Sequence, residues 1–214
     1  MTIEPAADRQ EPVEAVLFDL GNVLVRWDPH GAFEGIASRD DVERFFADVD
    51  FPRLNLRADA GLSWADVRDE VAATHPHHAP LIDAYVTRFA ATLAGPVPGS
   101  EDVVRELRAL GLRLYGLTNW SAETYPHGPV AAPAIGLLED VLVSGREGLV
   151  KPDPAIFERA AERFGLDPAR TVFVDDSPAN VEAAARVGFV AVRFTTAGAL
   201  RRDLRGLGVS LAGS

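Results

Sequence analysis

Val13-Glu14-Ala15-Val16-Leu17-Phe18-Asp19-Leu20-Gly21-Asn22-Val23-Leu24 carries the reading of the fold. Apart from Glu14, residues 13–18 are apolar, with β-branched and aromatic side chains, the composition of a strand buried on both faces. The run stops at a carboxylate, Asp19. Gly21 and Asn22 follow, two residues that turn the chain easily. Ligands of open α/β sheets bind beyond the carboxyl ends of the strands, so an acid closing a buried strand is placed to react. Downstream of Gly99, helix and strand alternate. The pattern predicts helix 100–110 closed by Gly111, strands 112–118 and 140–144, helix 154–164 and strand 171–175. Helix 178–187, strand 190–194 and a last helix over 196–206 complete it. Such alternation predicts an α/β fold with a parallel sheet covered on both faces.

Between these parts the period changes. Val42, Phe45, Phe46 and Val49, then Val67 and Val71, then Ile82, Tyr85, Val86 and Phe89 recur at threes and fours, which is helical spacing. Ser63 with Asp66 three residues on reads as a helix start. The expected organisation is a helical insertion over 30–95 within a unit made of 13–29 and 96–214, re-entered through Pro96-Val97-Pro98-Gly99. Residues 1–12 are polar with two prolines and read as a flexible lead-in. His75-Pro76-His77-His78 reads as a solvated loop of the insertion, and Trp64 as packing. Trp27 and Trp120 fit either packing or a substrate mouth, and Arg26 either a clamp or the surface.

Of 214 residues, 47% are hydrophobic and 25% charged, and 21 Lys and Arg face 32 Asp and Glu for a net charge of −11. A surface this acidic repels phosphate backbones and anionic lipid, so neither nucleic acid nor a membrane surface is an expected partner. There is no cysteine, hence no disulfide, thiol nucleophile or zinc–thiolate site. No apolar run reaches the ~18 residues of a membrane span, and the acidic first residues lack the apolar core of a signal peptide. The expected location is the cytoplasm.

Three expected strands end in polar groups: Asp19, Thr118-Asn119 and Asp175-Asp176. A parallel sheet would bring them to one edge. Lys151 stands in Lys151-Pro152-Asp153-Pro154, ahead of a helix whose first turn suits Pro154. These groups suit phosphoryl transfer. A carboxylate can attack phosphorus and form an acyl phosphate. Gathered carboxylates call for a cation, and Mg²⁺ prefers oxygen ligands. Thr118 can donate through its hydroxyl, Asn119 through its amide or backbone N–H, and Lys151 supplies fixed positive charge.

The motifs Phe18-Asp19-Leu20-Gly21-Asn22-Val23-Leu24, Leu117-Thr118-Asn119, Lys151-Pro152 and Val174-Asp175-Asp176-Ser177, with Asn180 and Gly188 downstream, occur in that order. In this the chain resembles the haloacid dehalogenase-like hydrolase superfamily over about residues 13–206. The resemblance implies a Rossmann-like three-layer core with a helical cap, and a Mg²⁺-dependent phosphatase acting on a small phosphate ester such as a sugar phosphate. It implies that Asp19 is nucleophile and metal ligand, and that Thr118 and Asn119 bind phosphate while Lys151 stabilises charge. The backbone carbonyl of Gly21 would bind the metal, with Asp176 as the direct carboxylate ligand and Asp175 beside it. Gly21 is also a departure. Most phosphatases of the superfamily carry a second Asp there, which protonates the leaving group, a service typically worth ~10²–10⁴-fold. The departure implies a slower enzyme, a substrate-assisted step or an acid supplied by the cap, with Asp28 and Asp59 the first acids to examine. Two alternatives follow: a metal-independent 2-haloacid dehalogenase using Asp19, favoured by Thr118-Asn119-Trp120-Ser121 and disfavoured by the Asp175-Asp176 pair, and a non-catalytic binding module that has kept the fold.

Overall fold

The structure is a computed structural model that describes residues 12–211. The first eleven residues of the expected lead-in, and residues 212–214, lie outside the described residues. In chain order the described elements begin with β1 (Ala15–Phe18) and β2 (Val25–Trp27). Four helices follow: α1 (Arg39–Asp48), α2 (Phe51–Asp59), α3 (Trp64–Thr74) and α4 (Ala79–Thr87). Then come β3 (Leu93–Pro96), α5 (Ser100–Ala109), β4 (Arg113–Thr118), α6 (His127–Ala131), β5 (Asp140–Val143) and α7 (Ser144–Glu147). The chain closes with α8 (Pro154–Phe164), β6 (Thr171–Asp175), α9 (Pro178–Val187), β7 (Val190–Arg193) and α10 (Ala197–Gly206).

Five strands form one parallel sheet in the order β5-β4-β1-β6-β7. The strand read first from the sequence is its centre, and its four residues are all buried. Alternate side chains feed two cores. Val16 and Phe18 pack with Val103 and Leu107 of α5 and Leu200 and Leu204 of α10. Ala15 and Leu17 pack on the other face with Phe157 of α8 and Ala183 of α9. Both faces are covered, as a parallel sheet requires. Among the described residues no helix is long and apolar enough to cross a membrane.

The register decides where the polar ends meet. Phe18 lies opposite Gly116 on β4 and Val174 on β6. One residue further on, Asp19 is flanked by Leu117 and Asp175, and its N–H donates to the Val174 carbonyl at 2.8 Å. Beyond it the chain folds back sharply. Val23, Leu24 and Val25 all donate to the Leu20 carbonyl, and Asn22 takes a left-handed conformation at φ 57°. Asn22 suits this because its short polar side chain bonds locally: its Oδ1 accepts from the Trp27 N–H at 3.1 Å.

The sequence pattern does not show β2 and β3. They pair antiparallel, Trp27 opposite Leu93 and Val25 opposite Pro96, so Leu93 and Ala94 are strand rather than the tail of the helical stretch. Leu-Ala-Gly-Pro has no strand propensity of its own, and pairing with β2 fixes it. Helices α1–α4 lie between the two strands of this ribbon. Ser63 caps α3 as expected, accepting from the Asp66 N–H at 3.0 Å. Ser144, expected to end a strand, instead opens α7.

The inserted helices are fastened to the sheet edge. The Ser144 hydroxyl donates to the carbonyl of Asp59, the last residue of α2, at 2.5 Å and accepts from the Trp120 N–H at 2.9 Å. Glu123 accepts from the Trp64 N–H at 2.9 Å. Beside Ser144 the backbones come too close for a side chain. A Cβ on Gly145 would lie 2.6 Å from the Ala122 nitrogen and 2.9 Å from the Trp120 oxygen. Gly145→Ala is therefore expected to cost about 1–3 kcal/mol through overpacking against backbone, lowering Tm by roughly 3–10 °C for a domain of this size. Gly136→Ala, where a Cβ meets nothing within 4 Å, is the control and should leave the calorimetric Tm nearly unchanged.

Candidate active site

At the carboxyl edge of the sheet, Lys151 is buried with its ammonium fully occupied. It donates to Asp19 Oδ1 at 2.8 Å, to the Leu117 carbonyl at 2.9 Å and to Asp175 Oδ2 at 2.7 Å. Three N–H groups meet three acceptors, from the ends of β1, β4 and β6. The main chain of Lys151 is fixed by Asn119, whose Oδ1 accepts from the Lys151 N–H at 2.8 Å and whose Nδ2 donates to the Lys151 carbonyl at 2.9 Å. The Asn119 side-chain amide is thus engaged with protein. The backbone N–H and the second Nδ2 proton are left for a ligand.

The acids differ in how they are held. Asp175 is wholly buried and saturated. Besides Lys151, the Ser177 N–H donates to its Oδ1 at 2.9 Å and Asn180 Nδ2 lies 3.0 Å from both oxygens. Asp176 is half-buried, and its carboxylate accepts from its own backbone N–H and from no side chain among the described residues. Oxygens of Asp19, Asp175 and Asp176 lie within 4.8 Å of one another. One ammonium cannot neutralise three carboxylates. Burial, and then the charge of Asp175, pushes Asp176 up. Burial pushes Asp19 up to about 7 against the pull of Lys151, with the Asp175 charge acting in the same upward direction. Burial would lower Lys151, but Asp19 and Asp175 outweigh it and hold it above its ordinary value. If all are ionised, two negative charges remain uncompensated, the charge of one divalent cation. The donors are all oxygens at one sheet edge, a set that fits Mg²⁺.

These groups floor a cavity of about 220 Å³ that Asp19, Gly21, Thr118, Asn119, Lys151 and Asp176 all line. The opposite wall draws on the inserted helices, on β2 and on the segment after β4, and of it only Trp27, Trp120 and Asp59 stood out in the sequence. Trp27, Tyr85, Phe89 and Trp120 supply aromatic faces, while Asn55 and Asp59 supply polar atoms. Asn55 Nδ2 donates to Asp59 Oδ2 at 2.9 Å, and the Tyr85 hydroxyl donates to Asn55 Oδ1 at 3.1 Å. Burial pushes Asp59 up to about 7, against a bond from the Ser121 N–H and the charge of Lys151. Asn55 and Asp59 are four apart on α2 and share one helical face. That spacing was the only signal available, since nothing local shows that this face meets the sheet edge.

Other sequence expectations resolve here. Trp27 and Trp120 both line the cavity, and Trp64 is core. Arg26 is exposed and donates to the Ala94 carbonyl across the ribbon. Asp28 lies outside the cavity. Burial pushes it up, but the backbone and ring of His30, with the charge of Arg39, together outweigh this and hold it below the usual range. The histidine run is not uniformly solvated. His78 is buried and its Nε2 lies 2.9 Å from Asp48, because a turn bonded from the His78 N–H to the His75 carbonyl folds it inward.

The sequence pattern of the haloacid dehalogenase-like hydrolases matches residues 13–188. A sesquiterpene phosphatase of Aspergillus oryzae is 27% identical over 204 residues, 91% of this chain and 96% of that protein. Among solved structures, a family enzyme from Bacteroides thetaiotaomicron in complex with magnesium and inorganic phosphate superposes with a TM-score of 0.68. It is 21% identical over 86% of this chain and 95% of that one. An L-2-haloacid dehalogenase from Xanthobacter autotrophicus superposes with a TM-score of 0.60 at 21% identity, over 94% of this chain and 85% of that one. At these identities the two structures show a shared fold.

The burial of Asp59 has a sign that can be measured. An unfolded Asp titrates near 3.9, so from about pH 4 to pH 7 the native state holds a proton that the unfolded chain has lost. Over that window this group destabilises the fold increasingly as pH rises. Asp59→Asn keeps the shape and removes the ionisation. Its Tm relative to wild type should climb by several degrees between pH 4.5 and pH 8 in scanning calorimetry, whereas a pH-independent difference would mean that Asp59 is not held protonated.

Proposed function

The chain belongs to the haloacid dehalogenase-like hydrolase family, and we propose that it hydrolyses the phosphate monoester of a small, uncharged alcohol, with Asp19 as the attacking carboxylate. The observation that carries this reading is the group of three carboxylates around one buried ammonium, open to a cavity. Lys151 holds Oδ1 of Asp19, which orients the carboxylate and leaves Oδ2 to attack phosphorus. The phosphate oxygens would lie against the Thr118 hydroxyl and the Asn119 backbone N–H. All three protons of Lys151 have acceptors, so its part is charge and orientation.

Asp19, Asp176 and the Gly21 carbonyl would hold Mg²⁺, with Asp175 fixing Lys151 beside them. The ion supplies counter-charge to the phosphate oxygens. A carbon-attacking dehalogenase has no need of Asp175 and Asp176, and two further carboxylates beside its nucleophile would be costly. The organic part of the substrate is read from the cavity wall. Among the described residues Lys151 is the only cation lining the cavity, so no second anionic group is matched there, and four aromatic faces suit a sugar face or a hydrocarbon. The named activity of the Aspergillus oryzae relative and the fold shared with a magnesium- and phosphate-bound enzyme support phosphate chemistry. Helices α1–α4 serve in this reading as a cap over the site.

Turnover of phosphate monoesters should require added Mg²⁺ and vanish in EDTA, while 2-chloropropionate should release no chloride under either condition. Full phosphatase activity after metal stripping would overturn the reading. Asp19→Asn should lower kcat by roughly 10⁴-fold or more, the scale on which covalent nucleophiles matter, with the circular dichroism spectrum unchanged.

A further inference from the structure

We propose that Asp59, on the inserted helix α2, is the general acid and base of this site, standing in for the carboxylate that Gly21 cannot supply. The inference rests on the phosphatase reading above. Three acids line the cavity: Asp19, Asp59 and Asp176. Asp19 is the nucleophile, and Asp176 belongs to the carboxylate group around the cation. Only Asp59 lies on the wall across from them, where the leaving alcohol must sit if Asp19 attacks phosphorus from the sheet edge.

Asp59 is also held as a catalytic acid needs to be. Its main chain is fastened to the sheet edge by the Ser144 hydroxyl at 2.5 Å. Its side chain is gripped by Asn55 at 2.9 Å, which the Tyr85 hydroxyl orients in turn at 3.1 Å. Asn55 and the Ser121 N–H both donate to the carboxyl, so its own O–H remains free to point into the cavity. Burial keeps the group protonated to about 7, near the optimum for an acid that works at neutral pH. The titratable groups facing it are Lys151, Asp19 and Asp176 across the cavity and Tyr85 from α4. Burial and the Asp59 charge push Tyr85 above its ordinary value, and Lys151 is held above its own. Neither changes charge near pH 7. Asp19, pushed up to about 7, does, but both esters need Asp19, so its titration cancels in the ratio of alkyl to aryl turnover.

The proton inventory closes over two steps. Asp19 Oδ2 bonds to phosphorus, the bond from phosphorus to the leaving oxygen breaks, and the Asp59 proton passes to that oxygen. The alcohol departs and Asp59 is left as a carboxylate. In the second step Asp59 takes a proton from water as the water oxygen bonds to phosphorus. The bond from phosphorus to Asp19 breaks, inorganic phosphate leaves, and both carboxyl groups return to their starting states.

The test compares an alkyl ester, glycerol phosphate, with an aryl ester, para-nitrophenyl phosphate, in the presence of Mg²⁺. An alkoxide needs a proton to leave and a nitrophenolate scarcely does. Asp59→Asn should lower kcat/KM for glycerol phosphate by ~10²–10⁴-fold and for para-nitrophenyl phosphate by less than ~10-fold. With the aryl ester the variant should show a burst of nitrophenol, because the acyl phosphate then waits for a base. In wild type the ratio of alkyl to aryl kcat/KM should fall above pH 7, and in the variant it should be flat. Gly21→Asp should restore the alkyl activity of Asp59→Asn. Gly21 has no positive φ, and a Cβ there meets nothing within 4 Å, so the double variant is expected to fold. Equal losses on both esters, or no loss on either, would overturn the assignment while leaving the phosphatase reading intact. Wild-type protein that turns over neither ester would overturn both.

Discussion

The rest of the site depends on the ammonium of Lys151. It is buried, and taking an unpaired charge out of water is prohibitively costly. Its three acceptors come from three different strands, which the parallel register aligns at one edge. Removing any one would leave an N–H or a carboxylate buried without a partner. The sheet therefore does more than carry the reactive groups, since its register makes this ion cluster possible. The cluster in turn holds Asp19 in a single orientation. Asn119 adds a second constraint by fixing the main chain from which the lysine reaches in.

The same cluster is electrostatically unfinished. One positive charge among three carboxylates leaves a deficit that raises Asp19 and Asp176. A protein selected for stability alone would have replaced such a group with apolar packing, a change that is often neutral or favourable. Its retention at the floor of a cavity is expected of a site completed by what it binds, a cation and a dianionic phosphate.

The inserted helices make a comparable compromise. Asp59 is buried at a cost that grows with pH, yet Ser144, Asn55 and Ser121 hold it in place. The close approach of Gly145 to residues 120–122 lets α2 sit that near the sheet edge. With glycine at position 21, the first loop offers the chemistry a backbone carbonyl and no proton.

The floor of the site was legible in the sequence because its residues are tied to strand ends, and a buried strand announces itself locally. Val16-Leu17-Phe18 must be covered on both faces, and the polar residue that stops the run must lie at the edge. The same holds for Leu117-Thr118 and Val174-Asp175. The order of the strands was not legible, nor was the register that sets Asp19 between Leu117 and Asp175, since every parallel arrangement buries the same apolar area. The ribbon of β2 and β3 escaped because Leu93-Ala94-Gly95-Pro96 is a strand only when Val25–Trp27 pairs with it. Most of the opposite wall escaped for a related reason, although Trp27, Trp120 and Asp59 stood among the sequence candidates. Asn55, Asp59 and Tyr85 sit on amphipathic helices whose pattern says which face is buried and never against what. The sequence by itself determined which polar groups gather at the sheet edge. Only the tertiary structure decided which groups face them across the cavity, because that depends on contacts between segments some 60 to 90 residues apart, such as Ser144 with Asp59 and Glu123 with Trp64, that no local pattern encodes.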